Sequence, residues 1–187
     1  HYPLRRQRQM CIRDRTMPHD DPACWQRAHQ IAPYLQPNIA TRGAGITDTK
    51  PHEGGNYPYP ILTTLAAQDA DLVYALTRAI DLGFDQFKGA DPGSMGWQMA
   101  RQKFQWLVPY HSGAIAYFKS QGLWTQSMQN HQDGLLRRQA VLATAWSTFI
   151  AAQGDAALDR ADWDSAWMAQ RAKYLTAAGF DPIWSSQ

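Results

Sequence analysis

The chain has 187 residues, of which 44% are hydrophobic, 12% aromatic and only 18% charged, a composition that excludes an unfolded polar chain and suits one domain with a real core. No apolar run approaches the roughly 18 residues that a membrane-spanning helix needs. The formal net charge of +2 is unevenly held: residues 1–15 contain five of the 18 Lys and Arg but one of the 16 Asp and Glu, so the remainder is mildly acidic.

The opening HYPLRRQRQMCIRDR resembles a recurrent translation of sequencing-adapter sequence and is set apart as a non-native or disordered stretch. Read as protein, it would be a basic arm suited to nucleic acid or anionic lipid. One of the two cysteines, Cys11, lies in it. Cys24 alone offers neither a disulfide framework nor metal spacing.

From Thr16 onward, Asp20, Asp21 and Pro22 predict a helix start, with Trp25, Ala28, Ile31 and Ala32 at helical spacing and Pro33 as the stop. A short extended piece over 38–41 and a Gly-Ala-Gly turn at 43–45 come next. PHEGGNYPYP, 51–60, is expected to be irregular because its prolines remove donors and Gly54-Gly55 supplies a turn. ILTTLA, 61–66, is apolar and partly β-branched and predicts a short strand.

The clearest helix spans 69–82. Asp69 or Asp71 caps it, Leu72, Val73, Leu76, Ala79 and Ile80 form one stripe, and Gly83 ends it. A further helix is expected over 94–107, with Met95, Met99, Phe104 and Leu107 facing a core. VPYHSGAIAYFKSQG, 108–122, predicts a helix capped by Ser112 and closed by Gly122, and its small Gly113 and Ala114 permit close approach of another backbone. Beyond Gln126, helices over 134–153 and 161–178, ended by Gly154 and Gly179, predict a helical hairpin.

Chemical motifs are sparse. The six His include no i, i+4 pair, and no P-loop, GxGxxG or GxSxG occurs. Asp159, Asp162 and Asp164 suit the first turn of a helix better than a calcium loop. The tryptophans at 97, 106, 124, 146, 163, 167 and 184 sit mostly at core-facing spacings. His111 lacks an orienting acid, so it is read as a polar contact that positions a helix start, not as a general base.

DLVYALTRAI, with VPYHSGAIAYFKSQG after a variable stretch, resembles the C-terminal part of TAXI-family solute-binding proteins. These are the extracytoplasmic receptors of tripartite ATP-independent periplasmic (TRAP) transporters. Val73, Tyr74, Leu76 and Thr77 match the family's Val-Tyr-x-Leu-Thr-Lys helix, with Arg78 for the lysine. Pro109, His111, Gly113 and Ala114 match its Pro-x-His-Pro-Gly-Ala segment, and Tyr117 and Gly122 match the tyrosine and closing glycine beyond it. Ser112 departs from the family's proline, and Ser120-Gln121 replaces a usual Glu. NYPYPILTT is similar to the family's segment before the first helix. The resemblance covers about 20–125, so 16–126 is read as the C-terminal part of a solute-binding domain and 127–187 as a helical extension.

The resemblance implies an α/β fold of the type II periplasmic-binding kind, helix-rich in this piece, with a first lobe and an export leader elsewhere. It implies a periplasmic receptor that is not an enzyme and uses no cofactor or metal. Its partners would be a small carboxylate or glutamate-like amino acid and the membrane permease subunits, with no nucleic acid. On general grounds the loop 41–60 is the best candidate for ligand contacts, through Thr41, Arg42, Tyr57 and Tyr59. Arg42 offers a planar fork to a carboxylate, and the tyrosines offer a wall and a hydroxyl. A free-standing helical interaction domain is the alternative from another class, and a small hydrolase using His111 is a third.

Overall fold

The computed structural model describes residues 16–41, 45–58, 60–153 and 160–182. The N-terminal stretch 1–15, Arg42, Gly43, Ala44, Tyr59, Gly154, Asp159 and Trp184 therefore lie outside the described residues. Two compact units are present, the first running to Tyr57 and the second beginning at Pro58.

In the first unit, helix α1 (Pro22–His29) starts where the Asp-Pro signal predicts. Asp21 is the N-cap, its carboxylate accepts from Cys24 N–H at 3.0 Å, and Pro22 occupies the first turn, where its missing N–H costs nothing. The helix ends at His29, before Pro33, and leaves Ile31 exposed. Trp25 is buried and its indole N–H donates to the Pro18 carbonyl at 2.8 Å. Strands β1 (Gln36–Ala40) and β2 (His52–Asn56) pair antiparallel, from Gln36 opposite Asn56 to Ala40 opposite His52.

β2 corrects the expectation that 51–60 is irregular. β1 supplies a partner backbone, and the expected turn residues Gly54 and Gly55 are extended within the ladder. A Cβ on Gly55 would lie 3.2 Å from Leu35 Cδ1 and 3.5 Å from the Trp25 ring, so the strand runs close over those side chains. Among the described residues this ribbon is the only sheet.

The second unit is helical. Helix α2 (Ala70–Leu82) is capped by Asp69, whose carboxylate accepts from Leu72 N–H at 2.8 Å, and Gly83 stands just past its end. A single turn, α3 (Phe84–Phe87), comes next. The helix expected over 94–107 does not form. Tight 3-10 turns at Pro92–Trp97 and Met99–Arg101 take its place. Pro92, Gly93 and Gly96 weaken an α-helix here, and the Asp91 carboxylate accepts from Gly93 N–H at 2.7 Å. The Gln102 amide then donates to the carbonyls of Gly96 and Gln98, at 3.0 and 3.1 Å. The strand expected at 61–66 is also absent, because no partner strand lies beside it among the described residues.

Helix α4 (Ser112–Ser120) packs on α2. The contact passes over Gly113: a Cβ there would collide with the Ala70 carbonyl and sit 2.9 Å from Tyr74 N. Close approach at this glycine, expected from its size, is what the structure shows. Val73, Ala114, Tyr117 and Phe118 form the buried centre. Phe104, Tyr110 and Trp124 surround Phe118, with Phe104 edge-on at 4.8 Å and Trp124 nearly parallel at 6.3 Å between centroids. Gly122, at φ 69°, reverses the chain after α4.

The hairpin expected beyond Gln126 is present as α5 (Gln126–Gln153) and α6 (Arg160–Ala177), which pack on each other. α5 starts eight residues before the expected 134, because Thr125 Oγ1 accepts from Met128 N–H at 3.3 Å and the helix runs through Gly134. Phe149 is buried between Trp163 and Trp167, and Trp146 meets Trp167 edge-on at 4.9 Å. Trp163 and Trp167 are half-buried against Phe149, whereas Trp146, expected in the core from its spacing, is 40% exposed. Gly179, at φ 76°, stands beyond the end of α6. The hairpin and the helices from α2 to α4 belong to one compact unit.

Candidate functional site

The second unit contains a cleft of about 390 Å³, a volume in the range of small-molecule sites. One wall is α2, through Leu72, Leu76, Thr77 and Ile80. The facing wall is the segment from Val108 to His111 with Ala114 and Phe118 of α4. Trp97, Met99, Gln102, Lys103 and Trp106 come from the turns between these helices, and the extended 60–64 segment completes the lining.

The apolar stripe of α2 explains why the cleft exists. Val73 turns into the core, whereas Leu72 and Leu76 remain 56% and 46% exposed. The sequence predicts a stripe buried along its length, but α4 covers only one edge of it. A second edge therefore faces the cleft. Of the 61–66 segment, read as a strand, residues 61–64 line the cleft without regular structure, with Leu62 55% exposed.

His111 stands at the facing wall and is the N-cap of α4, correcting the assignment of the cap to Ser112, which is the first helical residue. Its Nδ1 accepts from Gly113 N–H at 3.1 Å, so the imidazole does what a serine or aspartate does at other helix starts. This is the polar, helix-positioning contact expected of it. The segment before it is held from α5: Gln132 is buried, its Oε1 accepts from Tyr110 N–H at 2.9 Å and its Nε2 donates to the Tyr110 carbonyl at 2.8 Å. His131 Nε2 lies 2.6 Å from the Trp106 carbonyl.

Asp81, at the end of α2, accepts from the Tyr117 hydroxyl at 2.6 Å and ties the two helices together beneath the cleft. Burial first, and the Asp81 carboxylate second, push the Tyr117 phenol up to about 12. Burial alone pushes Tyr110 up to about 12. Both are neutral at ordinary pH; Tyr110 lines the cleft, and Tyr117 stands behind the lining with its hydroxyl on Asp81.

Of the ligand contacts expected from the sequence, the two among the described residues, Thr41 and Tyr57, are not part of this lining. Thr41 and Tyr57 are in the first unit, and Arg42 and Tyr59 lie outside the described residues. The ribbon register also separates the two described ones. Thr41 comes after Ala40, opposite His52, while Tyr57 comes after Asn56, opposite Gln36. That puts them one residue beyond opposite ends of a five-residue ladder, roughly 20 Å apart along it at about 3.4 Å per residue. Tyr57 N–H is turned onto the Asn56 side chain at 2.8 Å, and the residue is 49% exposed. The lining residues that sequence reasoning did not single out for a site include Leu72, Leu76 and Lys103. Two of them carry a signal only in hindsight: they are stripe positions left without a second helix.

The first unit holds one grouping of possible metal donors among the described residues. His19, Asp20 and Glu53 bring their ligand atoms within 4.8 Å of one another, and His19 Nδ1 is 3.0 Å from Glu53 Oε2. Glu53 also accepts from the His19 backbone N–H at 3.1 Å. The hydrogen bond to Glu53 raises the His19 imidazole above its ordinary range, and the same bond lowers the Glu53 carboxyl. The arrangement is a complete ion pair that fastens the residues before α1 to β2.

No protein-family model, no curated protein and no solved structure matches the chain. Among the described residues no helix is long and apolar enough to cross a membrane.

Proposed function

We propose that the chain belongs to a non-catalytic receptor for a small organic anion, in the manner of the solute-binding subunits of TRAP transporters, exported and delivering its ligand to a membrane permease. The observation that carries this reading is the cleft. Its two walls are α2 and the start of α4, the two segments on which the resemblance to TAXI-family proteins rests. Supporting it, the one histidine in the lining holds a helix N–H through Nδ1 rather than a nucleophile. The two-lobed α/β architecture and the periplasmic location are parts of the same proposal.

A thermal-shift screen against amino acids and organic acids tests it, because a ligand that binds only the folded state raises the midpoint. A dose-dependent rise with an organic anion is the expected result. Flat midpoints across the panel at millimolar concentration would sink the receptor reading. The half-exposed Leu62, Leu72 and Leu76 around the cleft favour, as the second reading, a helical domain that docks another protein. That reading predicts the flat result.

A further inference from the structure

We infer that the cleft selects an apolar monocarboxylate, with an uncharged aliphatic or aromatic body and a single anionic end, over a glutamate-like amino acid. This rests on the cleft being a ligand site. It narrows the class of ligand by what the lining leaves unpaired.

Most polar groups of the lining are already engaged within the protein. The Thr77 hydroxyl donates to the Val73 carbonyl at 2.8 Å, the Gln102 amide serves two carbonyls, Asp81 takes the Tyr117 hydroxyl, and His111 Nδ1 takes Gly113 N–H. Among the described residues Lys103 is the one lysine or arginine of the lining. Its ammonium makes no hydrogen bond or ion pair among the described residues, where its carbonyl accepts from the Tyr110 hydroxyl at 3.4 Å. The Thr63 and Thr64 hydroxyls are likewise not engaged among the described residues. What remains for a ligand among the described residues is one cation, the Thr63 and Thr64 hydroxyls, the neutral Gln68 amide, Trp97 indole N–H and His111 Nε2, and an apolar wall of leucine, isoleucine and tryptophan side chains.

A carboxylate beside Lys103 gains a charge-assisted hydrogen bond. The rest of the ligand must then lie along Leu72, Leu76 and Ile80. An uncharged body gains from leaving water there. Glutamate would place a second carboxylate against the same wall, and an ion without a partner in an apolar site is costly. Asp81, the one acid of the lining among the described residues, repels a second negative charge.

Isothermal titration calorimetry of the chain with octanoate, 4-phenylbutyrate, octanol and L-glutamate tests this. Both monocarboxylates are expected to bind about tenfold more tightly than octanol, the difference being one charge-assisted contact. The octanoate and phenylbutyrate arms separate an aliphatic from an aromatic preference, and binding of either supports the class. Lys103→Gln, at an exposed position and checked for an unchanged circular dichroism spectrum, should remove the preference over octanol and leave octanol binding as it was. Leu76→Asp should weaken all three. Glutamate binding more tightly than octanoate overturns the ligand class and leaves the receptor reading standing. Octanol binding as tightly as octanoate overturns the anionic end. No heat with any of the four, together with a flat thermal-shift screen, overturns the receptor reading beneath it.

Discussion

Gln132 holds Tyr110 by both of its amide groups. The side chain accepts from Tyr110 N–H at 2.9 Å and donates to the Tyr110 carbonyl at 2.8 Å, across 22 residues of sequence. The backbone at Tyr110 would otherwise pass from Pro109 into α4 with both polar groups unpaired. A residue of α5 thus fixes one wall of the cleft. Replacing Gln132 with Ala leaves a part-buried donor and acceptor unsatisfied and is expected to cost about 2–3 kcal/mol. Gln132→Glu keeps the acceptor, loses the donor and should fall between. Urea unfolding monitored by circular dichroism reads both; equal stability of Gln132→Ala and the parent would mean that Gln132 does not hold this wall.

Two helical glycines should respond oppositely to alanine. At Gly113 a Cβ meets backbone atoms of α2, which cannot step aside, so Gly113→Ala is expected to destabilise by about 1–3 kcal/mol despite alanine's better helix propensity. Gly134 has only the far end of the Arg137 side chain near it, at 3.9 Å. Gly134→Ala should therefore stabilise by about 0.5–1 kcal/mol. The pair of denaturation midpoints decides, and a stabilised Gly113→Ala would mean that α2 and α4 do not meet over that glycine.

The bond from Tyr117 to Asp81 makes a prediction at high pH. A phenol raised in the folded state contributes stability that is whole below the ordinary value of 10.0 and is lost as pH climbs through about 12. The protein should lose stability over that window. Tyr117→Phe should lower stability near neutrality by about 1–2 kcal/mol and make the alkaline slope shallower, leaving the part that belongs to Tyr110. An unchanged slope in Tyr117→Phe contradicts the assignment.

His19 and Glu53 should titrate as a pair. The imidazole is raised, so its contribution is present below the ordinary histidine value and disappears as pH rises through the folded one. The carboxyl is lowered, so its contribution is present above the ordinary glutamate value and disappears as pH falls through the folded one. The ion pair is intact between those limits. Histidine resonances tracked by NMR should show His19 titrating above the ordinary range, and Glu53→Gln should bring it down. If the His19 midpoint is the same in both proteins, the pair does not persist in solution.

Local signals in the sequence locate most of the helices. Asp69 and Asp21 accept from the N–H three residues on, as caps should, and Gly122 and Gly179 take the positive φ that ends α4 and α6. What the sequence hides depends on distant partners. β2 forms in spite of Gly54 and Gly55 because β1 offers a ladder, and ILTTLA stays unpaired in spite of its β-branched residues because no described strand lies beside it. The turns from Pro92 to Arg101 are held by side chains such as Gln102, whose partners no periodicity reveals. The cleft is hidden for the same reason. Leu72 and Leu76 read as core, and only the placement of α4 over Val73 shows that they are not covered.

Reception of a small organic anion between the α2 and α4 walls is open to a direct test. Backbone amide NMR of the uniformly labelled chain, titrated with 4-phenylbutyrate, maps where the ligand sits. Saturable shifts are expected to be confined to the region of Leu72, Leu76, Lys103 and Val108 through Ala114, with Thr41 and Tyr57 unmoved. Saturable shifts that cluster instead at Thr41 or Tyr57, or no saturable shift at all, would contradict it.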